Sequence, residues 1–202
     1  IGATMTIGNY LAVGLMARYL DEQPRAKLDL QVANTSVIKA RLINFELDIG
    51  LVEGEVQHPD LEVIPWVKDQ LEVFCAPDHL LASKHQLSDT DLLAARWVLR
   101  EQGSGTRQAF DWALHGLLPN LNVLLELEHV EGIKQAVMQG LGIGCLSRIA
   151  LQESFELGSL VPLRVAGRDF SRQLYLVINR HKYRSAGIER WIELCHQTAN
   201  PV

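Results

Sequence analysis

What most constrains this chain is the way its apolar residues change period. Stretches that alternate at every second residue give way to stretches spaced by three and four, repeatedly, along the whole chain. That switching marks an α/β sheet with crossover helices. Leu28, Leu30 and Val32 alternate as in a strand. Asn34-Thr35-Ser36 then opens a helix with Ile38, Leu42 and Phe45 on one face, and Asp48 to Val52 reads as the next strand. Leu61 to Trp66 and Leu71 to Cys75 follow as two short apolar runs, Pro65 moving the first toward an edge and Pro77 closing the second.

The pattern restarts at Ser88, which forms a capping box with Asp91 and opens a helix ending before Arg96. Trp97 to Leu99 is a strand. Gly103-Ser104-Gly105-Thr106 leads into a helix with Phe110, Ala113, Leu114 and Leu117 on its apolar face, stopped by Pro119. Val123 to Leu127 is a strand, and the next helix carries Ile133, Ala136, Val137 and Leu141 before Gly140-Leu-Gly-Ile-Gly144 turns the chain back. Cys145 to Ile149 begins another buried segment, followed by Leu160 to Val165 and a strand from Gln173 to Ile178. The last helix has Ser185 at its N-cap and Ile188, Trp191, Ile192 and Cys195 facing inward. Together the pattern predicts two α/β lobes crossed twice by the chain.

Composition narrows the function. The 202 residues are 48% hydrophobic and 21% charged, as in ordinary folded domains. With 19 basic against 24 acidic side chains and no Lys/Arg cluster, this segment itself is not expected to grip DNA. The longest apolar runs, Leu11 to Ala17 and Gly140 to Leu146, fall well short of the roughly 20 residues that span a bilayer. Residue 1 is Ile and no signal peptide follows it, so a piece of a longer cytoplasmic protein is expected. Cys75, Cys145 and Cys195 lack any C-x-x-C spacing and read as buried reduced thiols, and the seven histidines show no metal-ligand pattern.

Catalytic signatures are missing too. Gly103-x-Gly105-x-x-Gln108 breaks the dinucleotide fingerprint at its third glycine, and neither a G-K-[ST] nor a G-x-S-x-G motif occurs. Asp21, Glu22, Asp48, Glu53 and Glu101 sit where caps, turns or solvated faces account for them. No enzyme, cofactor or metal site is expected.

Three strand-to-helix turns stand out instead. Thr4 and Thr6 with Asn9, then Asn34-Thr35-Ser36, then Ser104 and Thr106 between glycines, are all rich in hydroxyl and amide groups. Helix N-termini present unpaired N–H groups and a partial positive charge, so such turns suit a small anion. Each is also an ordinary N-cap, and capping alone is the plainer account of any one. Arg100 and Arg107 flank the third turn within reach of an anion, with a surface ion pair as the simpler fate of each. Finally, Ile7 to Leu20 is apolar on nearly every side, which calls for cover on two faces by its own sheet and by a second subunit or by full burial.

Four blocks, Ile1-Gly-Ala-Thr-Met-Thr-Ile-Gly-Asn-Tyr10, Asp48-Ile-Gly-Leu-Val-Glu-Gly54, Ala76-Pro-Asp-His-Leu-Leu-Ala82 and Gly140-Leu-Gly-Ile-Gly144, resemble in order and spacing the effector-binding domain of LysR-type transcriptional regulators. The opening block with Arg100-Glu-Gln-Gly-Ser-Gly-Thr-Arg107 is similar to the sulfur-metabolism and carbon-fixation side of that family. The resemblance implies a periplasmic-binding-protein-like (type 2) α/β fold, two Rossmann-like lobes joined by two crossover strands. Lobe I would be residues 1–77 plus 174–202 and lobe II residues 78–173, with a small anionic effector, a sulfur oxyanion or short carboxylate, in the cleft between them. The N-terminal winged helix-turn-helix would be absent from this chain, and DNA binding would belong to the full-length protein. Relatives' anion-holding positions fall on Thr4, Thr6, Ser36, Ser104 and Thr106.

Two positions depart from that pattern: Ile7, where sulfate-responsive members carry an amide, and Val130, where a hydroxyl or amide is common, which argues against sulfate or an acylated serine. The resemblance further implies a homodimer through helices 7–20 and 131–139, a tetramer when full-length, and contact with RNA polymerase by the intact regulator. A transporter's solute-binding protein shares this fold and is the alternative reading.

Overall fold

The computed structural model describes residues 1–198. In chain order its strands are β1 (Gly2–Ala3), β2 (Gln31–Val32), β3 (Gly50–Glu53), β4 (Leu61–Cys75), β5 (Arg96–Arg100), β6 (Asn122–Leu127), β7 (Ile143–Ser147), β8 (Val161–Leu163) and β9 (Ser171–Asn179). Its α-helices are α1 (Met5–Ile7), α2 (Val13–Glu22), α3 (Thr35–Ile43), α4 (Asp89–Ala94), α5 (Gly105–Ala113), α6 (Val130–Met138), α7 (Arg148–Glu156) and α8 (Ala186–Gln197). The chain divides into two compact units, Ile1–Lys68 with Gln173 onward, and Asp69–Arg172. β4 and β9 carry it from one to the other. The first changeover falls inside β4, which runs unbroken through both apolar runs.

That single strand corrects the reading of two short ones. Pro65 is exposed within β4 and does not interrupt it.

In the first unit the strand order is β2-β1-β3-β9, with β1 parallel to both neighbours and β9 antiparallel to β3, Gly50 opposite Val177 and Glu53 opposite Leu174. The predicted strand from Leu28 shrinks to two residues. On one side of this sheet Ile7, Leu15 and Tyr19 pack with Leu51, Leu176, Ile188 and Trp191. There Trp66 Nε1 donates to the Cys195 carbonyl at 2.7 Å, which satisfies a buried indole. On the other side Ile38 and Leu42 of α3 meet Val52 and Val177. The segment read as one helix is α1 and α2 joined by a π-helical turn, Gly8–Ala12. It is not covered all round within this chain: Leu15 and Tyr19 are buried, but Tyr10, Val13 and Leu20 are exposed.

In the second unit the order is β4-β7-β5-β6, with β7 antiparallel to β4 and parallel to β5, and β8 pairing antiparallel with β4. Trp97 and Phe110 meet edge to face with ring centroids 4.9 Å apart, among Leu92, Leu114, Ile143, Cys145 and Leu163. The glycines of residues 140–144 have separate reasons. Gly140, past the end of α6, has φ +75°, and a Cβ on Gly144 would lie 2.6 Å from the Phe74 ring. α7 was not anticipated; it starts at Ser147, whose hydroxyl accepts from Ile149 N at 3.1 Å. The capping box of Ser88 and Asp91 forms as read. Among the described residues no helix is long and apolar enough to cross a membrane.

Candidate functional site

The first turn of hydroxyls is built around a carboxylate that sequence reading passed over. β1 ends at Ala3 and delivers Thr4, in extended conformation, to the start of α1. Thr4 does not cap that helix with its own side chain; its Oγ1 donates to Glu53 Oε1 at 2.9 Å, and the Thr6 backbone N–H donates to the same oxygen at 2.7 Å. Glu53, the last residue of β3, is 1% exposed, and its own N–H donates to Thr4 Oγ1 at 3.1 Å. Thr35 Oγ1 donates to the Glu53 carbonyl at 2.8 Å. A carboxylate thus occupies the positive end of the helical segment from inside the protein, the arrangement that helix-end electrostatics favour. Thr4, Thr6 and Thr35 converge on Glu53. Ser36, one residue on, is exposed on the first turn of α3, whose cap is Asn34 Oδ1 accepting from Val37 N at 3.1 Å.

The second cluster lies at the start of α5. Gly103 takes φ +88° and lets the chain leave β5, and Ser104 then caps the helix, accepting from Thr106 N at 3.2 Å and Arg107 N at 3.5 Å. Ser104 and Thr106 are both buried, at 3% and 1% exposure. Thr106 Oγ1 accepts from Arg172 Nη1 at 3.0 Å. Arg172 in turn donates through Nε to Asp69 Oδ2 at 2.7 Å, and Asp69 Oδ1 accepts from Ser147 Oγ at 2.8 Å. A buried ion pair therefore links the starts of α5 and α7.

The two arginines singled out from sequence are committed elsewhere. Arg100 is buried, not part of a surface pair, and forks onto Glu101 with contacts of 2.8 and 3.0 Å. Arg107 contacts Asp111 and Glu126 at 2.9 Å each and donates to the Arg100 carbonyl at 3.0 Å. Burial works against its charge, but the hydrogen bonds to Glu126 and Asp111 outweigh it and raise its pKa. Of the other carboxylates set aside in the sequence, Asp48 is exposed and pairs with Lys182 at 2.7 Å, and Glu101 is held by Arg100. Lys134 is buried and bound to Glu131 on its own helix at 2.9 Å. Among the described residues no group of His, Cys, Asp and Glu side chains gathers in a way that could hold a metal.

Each charged group here is thus met by an opposite charge or by helix-start N–H groups, and the hydroxyls of Thr4, Thr35, Ser104 and Thr106 are buried among them. Asp69 and Arg172 are 103 residues apart, a separation no local pattern reveals. Glu53 had one local signal, its place at the carboxyl end of a buried strand, where ligands of open α/β sheets gather.

The LysR substrate binding domain model matches residues 1–200. The uncharacterized HTH-type transcriptional regulator YeiE of Escherichia coli K12 is 36% identical over 195 residues, 96% of this chain and 66% of that protein. The HTH-type transcriptional regulator CysL of Bacillus subtilis is 32% identical over 176 residues, 86% of this chain and 58% of that protein. The chain therefore spans just under two thirds of the first relative and less of the second. The regulatory domain of Synechocystis PCC6803 CcmR, solved in complex with 2-PG, superposes with a TM-score of 0.89 at 28% identity, covering 99% of this chain and 96% of that one. The cofactor-binding domain of the Cbl transcriptional regulator gives 0.87 at 23% identity, covering 97% and 86%. The fold is the periplasmic-binding-protein-like α/β fold expected from the sequence, and the relatives are transcriptional regulators rather than enzymes.

Proposed function

Since the chain belongs to the LysR substrate-binding domain family, we propose that it senses a small anionic metabolite, an inorganic sulfur oxyanion or a short carboxylate, for a longer transcriptional regulator. The observation that carries this reading is the pair of buried hydroxyls, Ser104 and Thr106, at the start of a nine-residue helix with the Arg172 guanidinium 3.0 Å from Thr106 Oγ1. Donors held this way need no reorganisation to meet an oxyanion, and hydrogen bonds to a charged partner are about twice as strong as neutral ones. The matched charges around them leave recognition to neutral donors and helix ends. The CcmR regulatory domain, 28% identical, was solved holding the small ligand 2-PG, which supports a small-molecule role for the same fold here.

In this reading the chain works in the cytoplasm as a homodimer through helices 7–20 and 131–139. The exposed side chains of Tyr10, Val13 and Leu20, and a hollow of about 440 Å³ that Tyr10 lines with Leu11, Leu15, Trp66 and Val67, favour a protein partner for this helical segment. DNA contact, tetramer formation and engagement of RNA polymerase belong to the full-length regulator. Binding controls transcription only insofar as the anion favours one arrangement of the regulator over another.

A thermal-shift screen of the chain against sulfite, sulfate, thiosulfate, phosphate, nitrate and short carboxylates tests the reading. A ligand at 100 times its Kd stabilises by about 2.7 kcal/mol. The expected result is a raised Tm with at least one anion, abolished by Thr106→Val; no shift with any anion removes the proposal.

A further inference from the structure

One hollow of the first unit joins an apolar wall to an uncommitted cation. It measures about 440 Å³, the size of a small-molecule pocket, and every residue that lines it belongs to that unit. Leu15, Trp66 and Val67 supply buried apolar wall, and the Trp66 ring is held because its Nε1 donates to the Cys195 carbonyl. Tyr10 and Leu11 come from the π-helical turn, a rare winding that recurs at functional sites. Gly14 adds a second local cost, since glycine within a helical segment is less stable than alanine, yet a Cβ there would meet nothing within 4 Å. Packing does not require that glycine, whereas a large side chain in its place would take up part of the hollow. Arg18, exposed on the same helix, also lines it. Its expected partner is Glu22, four residues on, but Glu22 accepts from Arg190 Nε and Nη2 at 2.7 Å each. Among the described residues no carboxylate lies within ion-pair distance of Arg18.

We propose that this hollow is a binding site, separate from the hydroxyl-rich turns, for a small amphiphilic monocarboxylate. Its apolar body would lie against Leu15, Trp66 and Val67, and its carboxylate would meet the Arg18 guanidinium. The class of ligand follows from those two halves: burial of apolar surface supplies affinity, and a planar guanidinium matches a carboxylate through two parallel N–H···O bonds. Cover by a partner's apolar side chains would suit Leu11 and Leu15 but would leave Arg18 without a counter-charge and Gly14 without a reason. Val13 and Leu20, exposed apolar residues that do not line the hollow, remain for a subunit contact. The site goes beyond the anion-sensing function and stands if that function fails.

Calorimetric titration with octanoate and its uncharged counterpart octanamide tests this. Octanoate should bind, and octanamide should bind about fivefold more weakly, the ratio that an exposed ion pair supports. Arg18→Met, which keeps an apolar stem, should bring octanoate down to the octanamide level. Gly14→Leu should abolish binding of both in a chain that unfolds at no lower a urea midpoint than wild type, because leucine is the better helix former and meets no close neighbour. Thr106→Val, the variant that removes the response in the anion screen, should leave octanoate binding unchanged. Absence of octanoate binding, equal affinities for acid and amide, binding that survives Gly14→Leu, or binding lost with Thr106→Val each overturns the proposal. So does binding that weakens as the chain is concentrated into dimers, which would assign the hollow to a second copy.

Discussion

Arg172 reaches Thr106 Oγ1 with Nη1 at 3.0 Å and Asp69 Oδ2 with Nε at 2.7 Å, so one buried guanidinium ties a helix-start hydroxyl to a carboxylate on β4. Removing one member of a buried ion pair strands the other, which costs about 3–5 kcal/mol, whereas apolar replacement of both is far milder. Asp69→Asn should therefore lower the urea midpoint severely, and the double variant Asp69→Leu/Arg172→Met should recover most of the loss. A single variant as stable as the double would show that the pair does not hold α5 in place.

Two caps distinguish folding from binding. Ser104→Ala and Ser88→Ala each remove a side chain that accepts helix-start N–H groups, and each should cost about 1 kcal/mol in chemical unfolding. Only Ser104→Ala should also reduce the thermal shift given by an anion. Equal shifts in both variants would reduce the Ser104 turn to a cap.

Acid should weaken the fold in a defined window. The hydrogen bond from Lys84, with those from Ser88, holds the Asp91 carboxyl down from 3.8 to about 2, and Arg168 lowers Asp89 in the same way. A carboxyl whose folded pKa lies below its unfolded one binds fewer protons folded than unfolded. Its contribution is whole above about pH 4 and is lost as the pH falls through about 2. Lys84→Met should lower stability above about pH 4 and leave it unchanged below about pH 2, so that the acid limb flattens; an identical acid limb would discount this pair.

The thiols should be silent. Burial, with a smaller effect of Asp78, pushes Cys75 up to about 11, burial alone pushes Cys195 up to about 12, and burial raises Cys145 further still. Thiolate is the reactive form, so the native chain at neutral pH should resist iodoacetamide, with all three cysteines labelled in guanidinium chloride. Rapid native labelling of any of them would point to an opening that exposes that thiol.

The alternation of periods and the caps at Asn34, Ser88, Ser104 and Ser185 were legible in the sequence because they depend on residues within one helical turn of each other. The hydroxyl-rich turns were legible for the same reason. The groups that hold those hydroxyls were not: Glu53 meets Thr4 across 49 residues and Arg172 meets Thr106 across 66. Such pairings are set by which strand lies beside which. That the runs on either side of Pro65 form one strand was hidden too, because what a proline costs a strand depends on whether its nitrogen faces a partner, which a single sequence does not show. Arg100 was misplaced because its burial depends on a fork with the adjacent Glu101 that makes a charged side chain tolerable inside.

The second unit is one unbroken stretch, Asp69–Arg172, while the first is made of two stretches with all of the second between them. A ribosome therefore finishes the second unit before it supplies Leu174 to Val177 of β9, the antiparallel partners β3 needs along Gly50 to Glu53. Until then β3, with Glu53 at its end, has an open edge, and the hydroxyl cluster built on it lacks one side of its sheet. Birth order thus runs against sequence order: the half that begins first is completed last, and newly made chains have their Ser104 turn in place before their Thr4 turn.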